Sequence, residues 1–165
     1  MKRTAVALTI LLLLGMALGV TSARADSSTI TLTVTIQSLA LDISTTSWNL
    51  GIVTAGSTMT STPFTVSNTG NVAVDYTIGV ADSATEPWTS ASAIAENTFV
   101  LKHGPEDGSD YKDIPTDNLL AANVTALTGT YLFRLQFTAP SSVSGTSPYD
   151  PHPLEVTITS SVHTP

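Results

Sequence analysis

Phe64-Thr65-Val66-Ser67, the turn Asn68-Thr69-Gly70-Asn71, and Val72-Ala73-Val74-Asp75-Tyr76-Thr77-Ile78-Gly79-Val80 decide how this chain reads. Side chains alternate faces along a strand. Phe64 and Val66 therefore share one face, and Val72, Val74, Tyr76, Ile78 and Val80 share another. Just upstream, Trp48-Asn49-Leu50-Gly51-Ile52-Val53 has the same alternation, with Trp48, Leu50 and Ile52 together, and Ala55-Gly56 turns the chain after it. Three alternating runs joined by Gly- and Asn-containing turns predict antiparallel strands over a shared core. The predicted core residues are Trp48, Leu50, Phe64, Val66, Val74, Tyr76 and Ile78.

The same pattern extends in both directions. Thr29 to Ile36 alternates strictly, with Ile30, Leu32, Val34 and Ile36 on one face and Thr31, Thr33 and Thr35 on the other. Threonine and β-branched aliphatics favour a half-buried strand. At Gln37-Ser38 the apolar set moves to Leu39, Leu41 and Ile43. That one-residue shift turns every side chain to the opposite face, so a bulge or kink is expected there. Ser57 to Thr62 is too polar for a core strand, with Met59 as a single inward contact, and residues 81–97 read as a longer connection. Thr98 to His103 reads as a strand with Phe99 and Leu101 inward. Tyr131, Phe133, Leu135 and Phe137 alternate with Leu132, Arg134 and Gln136, which adds Tyr131, Phe133 and Leu135 to the predicted core. Leu154, Val156 and Ile158 mark the last strand. Seven to nine such strands, with no amphipathic helix, predict an all-β antiparallel sandwich; an eight-stranded barrel is the weaker alternative.

The amino terminus has a different character. Lys2 and Arg3 precede a nearly unbroken apolar run from Ala5 to Val20, and Ala23-Arg24-Ala25 supplies small residues at a cleavage site. This predicts a secretory signal peptide over residues 1–25, followed by one domain over 26–165. The run is short for a membrane anchor. With no cysteine anywhere, a lipoprotein, a disulfide framework and thiol chemistry are all excluded. Of six basic residues only Lys102, Lys112 and Arg134 lie beyond Ala25, against all thirteen acidic ones, so the exported net charge is −10. Such a chain has no electrostatic route to nucleic acid or anionic lipid.

Two resemblances follow from the quoted residues. Trp48-x-Leu50-Gly51-x-Val53-x-x-Gly56 with Phe64-x-Val66-x-Asn68-x-Gly70-Asn71 resembles bacterial extracellular immunoglobulin-like modules of the abnormal-spindle/hydin type, with Leu50 where those modules usually carry Phe. That resemblance implies an immunoglobulin-like sandwich with a surface or scaffold role. The export signal, the alternating first strand and the Asn-x-Gly turn are together similar to secreted subunits of the TasA/camelysin kind. In fibre-forming members of that group the leading strand of one subunit completes the sheet of the next. The resemblance makes residues 29–36, through Ile30, Leu32, Val34 and Ile36, the candidate assembly strand. The same residues also suit ordinary pairing within one chain.

Signals of catalysis are missing. His103, His152 and His163 are not at metal-ligand spacing, there is no His-Glu-x-x-His, no Gly-x-Ser-x-Gly and no phosphate-cradling loop. Most acids lie in predicted loops rather than as strand-borne carboxylate pairs. No enzyme is expected. The acidic stretch Gly104 to Asp117 places Asp107, Asp110 and Asp113 at intervals of three, a candidate Ca²⁺ site set against a plain solvated loop. Trp88, beside Pro87, is the candidate exposed aromatic. The expected role is therefore a secreted structural or interaction protein. It is read as a self-assembling subunit of an extracellular filament, matrix or envelope layer, located outside the cell, at its surface or in the periplasm. Its partners would be copies of itself or other surface proteins. The alternative is a monomeric module binding carbohydrate or Ca²⁺.

Overall fold

The structure, a computed structural model, describes residues 30–81, 88–145 and 151–165. The predicted signal peptide, residues 1–25, lies outside them. The described residues contain ten strands in two sheets and no helix. In chain order these are β1 (Leu41–Ile43), β2 (Thr58–Thr60), β3 (Phe64–Asn68), β4 (Val74–Ala81), β5 (Thr89–Ser90), β6 (Thr98–Pro105), β7 (Lys112–Asp113), β8 (Leu119–Val124), β9 (Thr130–Thr138) and β10 (Glu155–Val162). The chain divides into two units, residues 1–35 and 36–165.

Seven strands make the larger sheet. Its order is β1-β3-β9-β6-β5, with β2 also on β9 and β7 also on β6. The smaller sheet is β10-β4-β8. All pairings between named strands are antiparallel except the short β5–β6 pair, so the larger sheet is mixed. The count exceeds the expected seven to nine because β2, β5 and β7 are two or three residues long. Such segments form by backbone pairing with longer neighbours and carry no alternating apolar pattern for the sequence to show.

The core joins both sheets. Phe64, Val66, Phe99, Leu101, Phe133, Leu135 and Phe137 come from the larger one, and Val74, Tyr76, Ile78, Leu120 and Val124 from the smaller. Their burial follows the period-two alternation, as in the Phe64–Asn68 strand, where every second residue is buried. Trp48, Leu50 and Tyr131 are only partly buried and pack at the margin of this core.

Three local expectations are corrected. First, Trp48 to Ile52 is not a strand. Gly51 adopts φ +64° and its N–H donates to Asn49 Oδ1 at 2.9 Å, which turns the backbone within the run. Ile52 is consequently fully exposed, while Trp48, Leu50 and Val53 face the core. Met59, expected inward, is 41% exposed. Second, Asn68-Thr69-Gly70-Asn71 does not close a hairpin. β3 pairs β1 and β9, and β4 pairs β10 and β8, so this turn carries the chain from one sheet to the other. Third, the predicted strand Thr29–Ile36 is not formed over its described part: no strand is assigned from Ile30 to Ala40, and Thr29 lies outside the described residues.

Candidate functional site

The segment Ile30–Ile36 presents its aliphatic side chains to solvent. Ile30 is 95% exposed, Leu32 84%, Val34 71% and Ile36 80%. A strand needs a neighbour's backbone groups and an apolar face to cover; among the described residues no strand is paired with this segment. Ile36 and Ser38, at its end, are held by the Asn68–Asn71 turn. Asn71 Nδ2 donates to the Ile36 carbonyl at 2.8 Å, Ser38 N donates to Asn71 Oδ1 at 2.7 Å, and Asn71 N donates to the Ser38 carbonyl at 3.1 Å. A Cβ on Gly70 would run into the Ser38 carbonyl oxygen and meet Ala40 N at 2.9 Å. Only glycine admits that close approach. The phase change at Gln37-Ser38 is thus the point where the Asn68–Asn71 turn clamps the incoming chain.

The turn is itself held by Asn68, which is 1% exposed. Its Nδ2 donates to the carbonyls of Val72 at 2.8 Å and of Val124 and Thr125 at 3.1 Å, and its Oδ1 accepts from Gly70 N at 3.0 Å. Sequence reasoning placed Asn68 only as a turn residue. Its position as the last residue of an alternating strand, in phase with Phe64 and Val66, is the signal that it points inward.

On one flank of the two-sheet core lies a cleft of about 460 Å³, between the β1 end of the larger sheet and β10 of the smaller. Trp48, Leu50, Leu154, Val156 and Ile158 line its sides, with Phe64 among the residues deeper in. The coverage is asymmetric. Leu120, Ala121 and Val124 of β8 are buried, whereas Val156 and Ile158 of β10 and Leu41 and Ile43 of β1 are only partly so. Trp88, the candidate exposed aromatic, is half-buried near this flank. It stacks on His152 with centroids 4.4 Å apart and on Phe137 at 6.5 Å.

The acidic stretch is built differently from the expected open loop. β6 runs through Pro105, and Lys112–Asp113 pairs with it as β7. Asp107 Oδ1 accepts from the hydroxyl and the backbone N–H of Ser109, which holds its carboxyl below the ordinary value. Asp113 pairs with Lys102 at 3.3 Å and Asp117 with Lys112 at 3.2 Å. The Lys112 ammonium lowers the Asp117 pKa and is itself raised by that carboxylate. Arg134 Nε donates to the Glu106 carbonyl at 2.6 Å. All three basic residues beyond residue 25 therefore bind this stretch. Among the described residues no group of three or more His, Cys, Asp or Glu is placed to hold a metal ion, and Asp107, Asp110 and Asp113 do not converge. His103 is buried and donates from Nε2 to the Asp117 carbonyl at 2.9 Å, while His163 Nδ1 donates to Asp75 Oδ1 at 2.7 Å.

No protein-family model matches this chain, and no curated protein matches it.

Proposed function

We propose that this chain is an exported immunoglobulin-like β-sandwich that assembles with copies of itself into an extracellular filament, matrix or envelope layer, with residues 29–36 as the exchanged strand. The observation that carries the reading is the run of four exposed aliphatics at Ile30, Leu32, Val34 and Ile36. Burying each gains about 1.5–3 kcal/mol, so a strand of this pattern left in water is poised to add to a sheet through main-chain hydrogen bonds and alternate side-chain contacts. No charged residue occurs from Ser27 to Leu41, although the exported chain carries a net charge of −10. General repulsion between subunits keeps them soluble, and the uncharged arm is where association escapes it. The two-sheet core and the Asn68–Asn71 crossover support the immunoglobulin-like assignment.

Light scattering and negative-stain electron microscopy of residues 26–165 at rising concentration test this. Concentration-dependent oligomers or regular fibres are expected, and a variant with Ile30, Leu32, Val34 and Ile36 all replaced by Ser should remain monomeric with an unchanged melting temperature. A clean monomer of the unaltered chain at every concentration overturns the reading and leaves a monomeric carbohydrate-binding module in its place.

A further inference from the structure

Resting on that assembly reading, we infer that the receiving surface is the outer edge of β10 together with the apolar cleft beside it, and that its occupant is the residue 29–36 arm of a second copy. The argument starts from the sheet edges. Native proteins blunt exposed edges with short strands, charges, prolines or bulges, because a long regular edge is a template for another chain.

The described edges of this fold are blunted, with one exception. β1 is three residues long and carries Asp42; β5 is two residues long. β7 is Lys112-Asp113, two residues and both charged. β8 pairs with β4 through two register shifts and has Asn123 at φ +52° near its end. β10 has a single charge, Glu155 at its start, and none of the other devices. It pairs with β4 in unbroken register over all eight residues, Glu155↔Ala81 through Val162↔Val74, and carries no charge after Glu155 and no proline. Among the described residues its other edge has no strand beside it.

Arm and edge match in length, polarity and facing. Ile30–Ile36 extended spans about 23 Å and β10 about 26 Å at the usual strand rise. Within β10 the even positions Val156 and Ile158 turn to the cleft and are only partly buried, while Glu155, Thr157 and Thr159 are exposed. An arm added beside β10 with Ile30, Leu32, Val34 and Ile36 inward sets its own threonines, Thr31, Thr33 and Thr35, on the same outer face as Thr157 and Thr159. The aliphatics then cover the flank where Trp48, Leu50, Val156 and Ile158 are left half-open.

The absence of cysteine makes a clean test, since any disulfide must come from introduced pairs. Three populations carrying Thr31→Cys, Thr33→Cys or Thr35→Cys are each mixed with a population carrying Thr157→Cys or Thr159→Cys, then oxidised mildly and read on a denaturing gel. Exposed threonines make these substitutions compatible with folding, which unchanged melting curves verify. The control receiver is Ala122→Cys, exposed on the opposite edge strand β8. The expected result is mixed dimers with the β10 positions, strongest for one register, and none with Ala122→Cys. Assembly that proceeds with linkage only to Ala122→Cys, or with linkage at neither edge, overturns the β10 site and leaves the assembly reading intact. So does Thr33→Cys/Thr159→Cys closing within a single chain while assembly continues. Failure of the unaltered chain to assemble at all overturns the reading beneath it.

Discussion

Asn68→Ala should cost this protein more stability than any change at an exposed position. The carboxamide makes four hydrogen bonds in a site 1% exposed, tying the crossover after β3 to the chain at Val124-Thr125. Thr125 also receives Gly129 N at 3.1 Å, so its carbonyl keeps a partner when Asn68 is truncated. The Gly70 N–H and the Val72 carbonyl lose theirs. At about 1–3 kcal/mol for each buried group left unpaired, and with relaxation rescuing some of them, the loss is about 3–4 kcal/mol. For a domain of this size that lowers the melting temperature by about 10–15 °C. Asn68→Asp sharpens the test, because it keeps the acceptor for Gly70 but aims a second carboxylate oxygen at three carbonyls. The introduced acid is held in its neutral form, so its folded-state pKa is raised. The variant should then approach the wild-type stability at low pH and lose ground as pH rises through and above the ordinary carboxylate range. Thermal and urea unfolding followed by circular dichroism measure both variants between pH 3 and pH 8, about the range over which a carboxylate titrates. Melting within about 3 °C of wild type for both, less than the shift from 1 kcal/mol, would refute the claim that this network holds the two segments together.

Other outcomes follow from single residues. Gly70→Ala forces the Ser38–Ala40 backbone to move and should destabilise by about 1–3 kcal/mol. Gly79→Ala, with no atom within 4 Å of the added methyl, should change stability by less than about 1 kcal/mol, so equal effects in thermal melts would contradict the clamp. Tyr76→Phe removes a buried hydroxyl with no hydrogen-bond partner among the described residues; its melting temperature should hold or rise, and a fall of several degrees would count against an unpaired hydroxyl. Asp75 accepts from Asn123 N and from His163, and both lower its pKa. A depressed carboxylate stabilises the fold above its unfolded value, near 3.8, and that contribution is lost as pH falls through the lower folded value. Asp75→Asn should therefore flatten the acid limb of stability against pH; an acid limb identical to wild type would remove Asp75 from the account.

The alternating runs at Phe64–Val66, Val74–Val80, Tyr131–Phe137 and Leu154–Ile158 determined by themselves that these segments are strands, and which residues face inward, because burial on one face imposes a period of two on the sequence. The break at Gln37-Ser38 and the inward phase of Asn68 were equally local signals. Tertiary structure alone decided the rest. Which strands pair is settled by long-range backbone hydrogen bonds that leave no mark in local pattern, so β3 and β4, neighbours in sequence, lie in different sheets. A left-handed Gly51 takes Ile52 out of the face it shares by spacing with Trp48 and Leu50. The acidic stretch looked like a cation site because spacing alone does not show that Lys112, within the stretch, pairs with Asp117, that Lys102 reaches Asp113 across the β6–β7 pair, or that Arg134 of β9 reaches the Glu106 carbonyl. The arm at Ile30–Ile36 shows the same division in reverse: its composition specifies a strand, but a strand exists only where a neighbouring edge receives it, and that edge is a property of the folded chain.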